Sequence, residues 1–208
     1  WTRPGLVQAL RGQVAARYGD LRGEAADYTR IIDPRHYARL QGWLDEARAR
    51  GCEVIALAGG HDPQRRLFAP HLVLDPPPDL ALMREEIFGP ILPLCCVDTL
   101  EEAIARVQAQ PRPLALYPFS HVRAEVEAIL GQAVAGGVTV NDTLLHFAAE
   151  GLPFGGVGAS GMGAYHGRAG FDAMGKQLPV LWQARRSPTD LLRPPYARIS
   201  RLVDWLLR

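Results

Sequence analysis

Lysine is almost missing from this chain: of its 23 lysines and arginines, only Lys176 is a lysine. That bias suits a GC-rich genome better than a chemical role. Cysteine is nearly as scarce, with Cys52, Cys95 and Cys96 alone. There is no C-x-x-C pair and no disulfide framework, which fits a reducing cytosol. Cys95 and Cys96 stand in the apolar run Ile91 to Val97, where a strand would send neighbouring side chains to opposite faces. Neither has a flanking cation to lower its pKa, so both read as buried structural thiols. Charge of one sign is lacking as well: the net charge is +1, which argues against nucleic acid as a partner. No apolar run approaches the about eighteen residues of a membrane span. There is no internal repeat or low-complexity tract. The chain starts at Trp1 without a methionine and without a charged-then-apolar leader, which reads as an amino end cut short rather than a secretory signal.

What is present is ample for a folded core, with 208 residues of which 48% are hydrophobic. Apolar positions at helical spacing mark residues 4–18 and 34–50. The second of these opens with Pro34 after Asp33 and carries Tyr37, Leu40, Trp43, Leu44 and Ala47. Strand candidates are Cys52 to Ala58, Phe68 to Leu74, residues 91–97, Pro113 to Phe119 and Gly137 to Asn141, with Leu178 to Trp182 as an edge strand. Helices are expected over Thr99 to Gln108, where Thr99 and Glu102 have capping-box spacing, and over Val122 to Ala135. Residues 151–170 are too rich in glycine for a regular element. Strands alternating with helices predict an α/β domain with a largely parallel sheet flanked by helices.

Two segments stand apart. Glu85-Glu-Ile-Phe-Gly-Pro90 delivers an aromatic side chain into a tight turn before a strand, an arrangement that can hold one side chain against a ligand. Its adjacent carboxylates, taken alone, are a solvated helix end. Later comes Pro153-Phe-Gly-Gly-Val-Gly-Ala-Ser-Gly-Met-Gly-Ala-Tyr-His-Gly167. Within it Gly156-Val-Gly158-Ala-Ser-Gly161 matches G-x-G-x-x-G but fails as a dinucleotide fingerprint, since it neither follows a strand directly nor opens a helix, and no acidic residue follows about twenty positions on. Ser160 lies in no G-x-S-x-G elbow, which argues against a serine hydrolase. His146 and His166 have no second histidine or cysteine at metal spacing, so no metal site is expected.

In this order the two segments resemble the carboxyl-terminal half of the NAD(P)-dependent aldehyde dehydrogenases. Tyr28-Thr-Arg-Ile-Ile-Asp33 and Arg112-Pro-Leu-Ala-Leu-Tyr117 resemble that family too. Val140-Asn-Asp-Thr-Leu-Leu-His-Phe147, Gly161-Met-Gly-Ala-Tyr-His-Gly-Arg168 and Phe171 look most like its class 3, fatty-aldehyde and coniferyl-aldehyde branch. The resemblance runs from about Tyr18 to Trp182. In the family a cysteine thiolate attacks the aldehyde, hydride passes to the nicotinamide of NAD or NADP, and a glutamate base helps water release the acid. By resemblance, Glu86 would accept hydrogen bonds from the nicotinamide ribose and Phe88 would pack beside the nicotinamide. Asn141 would stand at a strand end near the catalytic centre. Phe154 would form part of the aldehyde pocket, with Gly155 and Gly156 letting the loop approach closely, and His146 and Phe147 would line the substrate entrance. The family's nucleophile, base, oxyanion-stabilising asparagine and cofactor domain all belong before Trp1 by motif order. No catalytic residue is therefore expected here, and the chain reads as part of a cytoplasmic enzyme, inactive alone. A non-catalytic protein of the same fold, acting in subunit association or ligand binding, is the alternative.

The expected organisation is a partial catalytic domain over residues 1–176, an oligomerisation strand over 177–184 and a basic tail over 185–208. An exposed apolar edge needs covering, so a homo-oligomer, a dimer, is expected. In the tail, Ile199, Leu202, Val203 and Leu206 fall at helical spacing among arginines. It either packs back on the domain or a partner subunit, or rests on an anionic membrane surface.

Overall fold

The computed structural model describes residues 3–22, 27–187, 189 and 207. The chain forms two compact units, residues 1–103 and 104–208.

In the first unit, α1 (Arg3–Tyr18) is followed by α2 (Pro34–Ala49). Asp33 caps α2 by accepting the His36 backbone N–H at 2.7 Å, and that N–H holds its carboxyl below the usual carboxylate range. Pro34 fits the first turn, where no N–H is needed. The stripe predicted from spacing is the buried one: Tyr37, Leu40, Trp43, Leu44 and Ala47 are all buried. They pack with Phe68, Val73, Leu80, Leu82 and Ile91. The sheet has the order β1 (Glu53–Ala56), β2 (His71–Leu74), β3 (Ile91–Leu94). β1 runs antiparallel to β2, and β2 parallel to β3. Every residue of β2 is buried because it is the central strand. A short α3 (Ala81–Arg84) precedes the Glu85–Pro90 turn.

Helix α4 (Leu100–Gln108) starts at the expected capping box: Thr99 Oγ1 accepts the Glu102 N–H at 3.1 Å, and the Glu102 carboxylate accepts the Asp98 N–H at 3.1 Å. In the second unit, β4 (Ala115–Leu116) pairs parallel with β5 (Gly137–Val138) across α5 (Arg123–Gln132). Two further helices follow, α6 (Leu145–Ala148) and α7 (Gly167–Met174). The α/β reading holds.

Three expectations are corrected. The run Ile91 to Val97 stops being strand at Leu94, because the Cys96 N–H is taken by the Asp75 carboxylate at 2.7 Å instead of a ladder partner. Cys95 is accordingly only partly buried and Cys96 is exposed, so these two thiols are not sealed in the core. The glycine-rich stretch does yield to a helix, from Gly167 onward. Leu178 to Trp182, expected as an edge strand for another subunit, has no ladder partner among the described residues and leaves Leu181 and Trp182 91% and 89% exposed. The helical pattern from Tyr196 lies outside the described residues apart from Leu207.

Candidate cofactor turn and substrate wall

Helix α2 builds the first candidate site. His36, Arg39, Leu40 and Trp43 lie at the i, i+3, i+4, i+7 spacing of one helical face. Arg39 stacks over the Trp43 ring at 4.2 Å and donates from Nη1 to the Glu86 carbonyl at 2.9 Å and from Nη2 to the Ile87 carbonyl at 2.8 Å. His36 Nε2 reaches the Phe88 carbonyl at 2.7 Å. Gly89 lies directly on Leu40. Phe88 is held at φ +42°, a left-handed conformation that costs a bulky residue about 1–3 kcal/mol. Its ring is 79% exposed. Glu86 is exposed, and its carboxylate has no hydrogen bond or ion pair among the described residues. The turn spends its backbone on α2 and leaves an acceptor carboxylate and an aromatic face open. That pair suits ribose hydroxyls beside a flat heteroaromatic ring, so the residues fit a nicotinamide nucleotide.

The second group lies in the other unit. Phe154 and Tyr165 exchange backbone hydrogen bonds at 2.8 and 2.9 Å, closing Gly155 to Ala164 into a loop. Inside it, Val157 N–H donates to Ser160 Oγ at 2.9 Å. A β-carbon at Gly155 would come to 2.1 Å from the Gly163 carbonyl oxygen, and one at Gly156 to 2.1 Å from that of Ser160. The glycines thus permit a close approach of backbone to backbone. The G-x-G-x-x-G stretch is buttressed loop, opening no helix. Phe154 is ringed by Phe147 at 5.1 Å, Tyr165 at 5.6 Å, His146 at 5.8 Å and His166 at 5.9 Å.

His146, read as lining an entrance, is 7% exposed, while Phe147 is 49% exposed. Thr139 Oγ1 meets His146 Nδ1 at 2.9 Å and accepts its backbone N–H at 3.1 Å. His146 Nε2 and His166 Nδ1 are buried without a partner among the described residues. Asn141 sits just past β5 at φ +59°, with Nδ2 donating to the Ser120 carbonyl at 2.9 Å. The structure therefore gathers His146, Phe147, Phe154, Gly155 and Gly156 into one cluster, and Glu86 with Phe88 into another. An open cavity of about 620 Å³ between α1 and the β1–β2 strands, lined by Val7, Arg11, Glu53 and Ile55, shares no residue with either. No cluster able to hold a metal occurs among the described residues. No described helix is long and apolar enough to cross a membrane.

Sequence reasoning missed His36 and Arg39. The signal was weak: both are polar positions flanking an apolar stripe, and their partners are backbone carbonyls 52, 47 and 48 residues away.

Residues 4–177 match the profile of the aldehyde dehydrogenase family. A probable coniferyl aldehyde dehydrogenase of Caulobacter vibrioides is 44% identical over 87% of this chain and 39% of its own length. Aldehyde dehydrogenase family 3 member A2 of Rattus norvegicus is 41% identical over 96% of this chain and 40% of its own. Among solved structures, a substrate-bound AldH of Staphylococcus aureus superposes with a TM-score of 0.76 at 36% identity, covering 99% of this chain and 44% of that one. An aldehyde dehydrogenase of Mycobacterium tuberculosis complexed with NAD+ gives 0.67 at 25% identity, over 78% and 34%. The chain spans about 40% of the length of the curated relatives it matches. On this evidence the chain belongs to the aldehyde dehydrogenase family, with relatives in the coniferyl-aldehyde and family 3 groups that agree with its class 3 motifs.

Proposed function

We propose that this chain supplies the ribose-side cofactor contact and one wall of the aldehyde pocket in an enzyme that oxidises an aldehyde to a carboxylic acid with NAD or NADP. The observation that carries the reading is the Glu86–Phe88 turn, whose backbone is satisfied by α2 while the Glu86 carboxylate stays open. Bound there, a nicotinamide supplies the hydride acceptor. The chain's own part is orientation. Glu86 offers two acceptor oxygens to vicinal hydroxyls, and Phe88 restricts the ring to one face. Phe154, fixed among its aromatic neighbours, bounds the space left to the aldehyde; close geometry of this kind lowers the barrier by limiting unproductive poses. The coniferyl-aldehyde relative favours an aromatic aldehyde. A reducing compartment is supported by three cysteines that form no disulfide. The exposed run Leu178, Val180, Leu181 and Trp182 supports a homo-oligomer.

Glu86→Gln in the intact enzyme tests the reading. Exchanging a charged acceptor for a neutral one should lower kcat/KM for NAD(P) about 10- to 100-fold, with the aldehyde KM little changed. Unchanged cofactor kinetics would overturn it. The 208-residue polypeptide by itself should form no NAD(P)H from aldehyde, since Cys52, Cys95 and Cys96 stand outside the family's nucleophile context. Aldehyde-dependent NAD(P)H from that polypeptide would refute this part.

A further inference from the structure

We propose that Arg39 and His36 are positioning residues that hold the cofactor turn in shape, a role that rests on the reading of Glu86 and Phe88 as cofactor contacts. Three consecutive carbonyls, of Glu86, Ile87 and Phe88, are all taken by two side chains of α2. Such density is unusual for an exposed turn, whose carbonyls water would satisfy equally well. The function of the contacts is therefore shape rather than satisfaction.

The two side chains form one relay with a fixed proton arrangement. A carbonyl only accepts, so His36 Nε2 carries the proton that it donates to Phe88. A guanidinium only donates, so His36 Nδ1 accepts from Arg39 Nη2 at 3.1 Å. Both ring nitrogens are thus used. Arg39 Nη2 divides its two hydrogens between Ile87 and His36, while Nη1 serves Glu86. The Trp43 face beneath keeps the guanidinium plane in register. The far end of the relay is the one strained residue of the turn, Phe88 at φ +42°. Hydrogen bonds to the carbonyls on either side of that residue's N–H resist its return to a relaxed φ, and so keep its ring and the Glu86 carboxylate in a constant relation.

Planarity is what makes Arg39 specific. A lysine ammonium is a point donor that does not span two carbonyls and a ring nitrogen at once. Glutamine at 36 keeps an N–H for Phe88 and an oxygen acceptor for Arg39; leucine keeps neither.

The experiment combines hydrogen–deuterium exchange of the segment 84–90 with cofactor and aldehyde kinetics of the intact enzyme. The variants are Arg39→Gln, Arg39→Lys, His36→Leu and His36→Gln, with Arg48→Gln as a control on the same helix that breaks an exposed ion pair to Asp45 and touches no carbonyl of the turn. Arg39→Gln, Arg39→Lys and His36→Leu should speed exchange in the turn alone and raise KM for NAD(P) about tenfold. His36→Gln and Arg48→Gln should stay near the parent, and the aldehyde KM should hold throughout. Parental exchange and cofactor KM in both Arg39 variants would overturn the proposal. So would faster exchange spread through α2 and β2, which would make Arg39 a general stability element. Glu86→Gln separates the two levels. Weakened cofactor binding there, beside a parental Arg39→Gln, removes the positioning role and keeps the cofactor reading. Unchanged binding in Glu86→Gln removes both.

Discussion

Gly89 rests on Leu40 so closely that a β-carbon at position 89 would stand 2.5 Å from Leu40 Cδ1 and 2.9 Å from Cδ2. Leu40 is fully buried among Tyr37, Phe68 and Val73, so it has little room to withdraw. Gly89→Ala should therefore destabilise the chain by about 1–3 kcal/mol, the usual cost of overpacking a filled core. Thermal unfolding followed by circular dichroism checks this. An unchanged midpoint would mean that Leu40 repacks freely.

Thr139 makes an equally direct prediction in the other unit. Its hydroxyl is the partner of both the His146 Nδ1 and the His146 backbone N–H. His146 already has one buried nitrogen without a partner. Thr139→Val keeps the volume and strands two more polar groups, at about 1–3 kcal/mol. Thr139→Ser keeps the oxygen and should lose less than half as much. Urea unfolding of the two variants ranks them, and equal losses would show that the methyl group, not the hydroxyl, matters at 139.

What the sequence made legible was local. The Thr99–Glu102 cap, Pro34 behind Asp33 and the α2 stripe each depend on residues within a few positions of one another, and each is present. The two motif segments were legible because their aromatic and glycine residues carry the resemblance to the family whose profile matches residues 4–177. What stayed hidden was non-local or short. α3 and α6 are four residues each, too brief for a 3.6-residue period to declare itself. The end of β3 at Leu94 depends on Asp75, 21 residues from Cys96. The burial of His146 depends on Gly137, where any β-carbon would strike the imidazole at 2.4 Å.

Acid should weaken the first unit through two histidines. His71 is 6% exposed, with Nδ1–H donating to the Ala69 carbonyl at 2.6 Å; burial first, then the neighbouring His61 and Arg48, push its pKa below the ordinary value despite that bond. Burial and Arg48 lower His61 likewise, and its ring lies 5.6 Å from that of His71. A histidine whose folded pKa is depressed binds its proton more readily when unfolded. Its stabilising share is complete above the unfolded value of about 6.5 and drains away as pH falls from there toward the folded pKa. Urea midpoints should decline below that pH. His71→Asn, which keeps a side-chain N–H for Ala69, should flatten the decline, leaving the His61 share. A slope identical to the parent's would exclude His71 as a source.

Phe88 should separate stability from activity. Its ring is largely exposed, so removing it forfeits little apolar burial. Its φ of +42° penalises any β-carbon, and glycine removes that penalty at the cost of a more flexible unfolded chain. These terms nearly cancel, so Phe88→Gly should shift stability by no more than about 1 kcal/mol. Phe88→Ala keeps the strained β-carbon and should be the less stable of the two. On the proposed cofactor reading, both would lose the aromatic face offered to the nicotinamide in the intact enzyme, and kcat should fall about tenfold or more through loss of aligned geometry. If Phe88→Gly instead unfolds the chain, the exposed ring has a packing role that its surroundings do not reveal. If both variants turn over at the parental rate, the strained turn serves the fold alone, and the cofactor contact must be sought elsewhere.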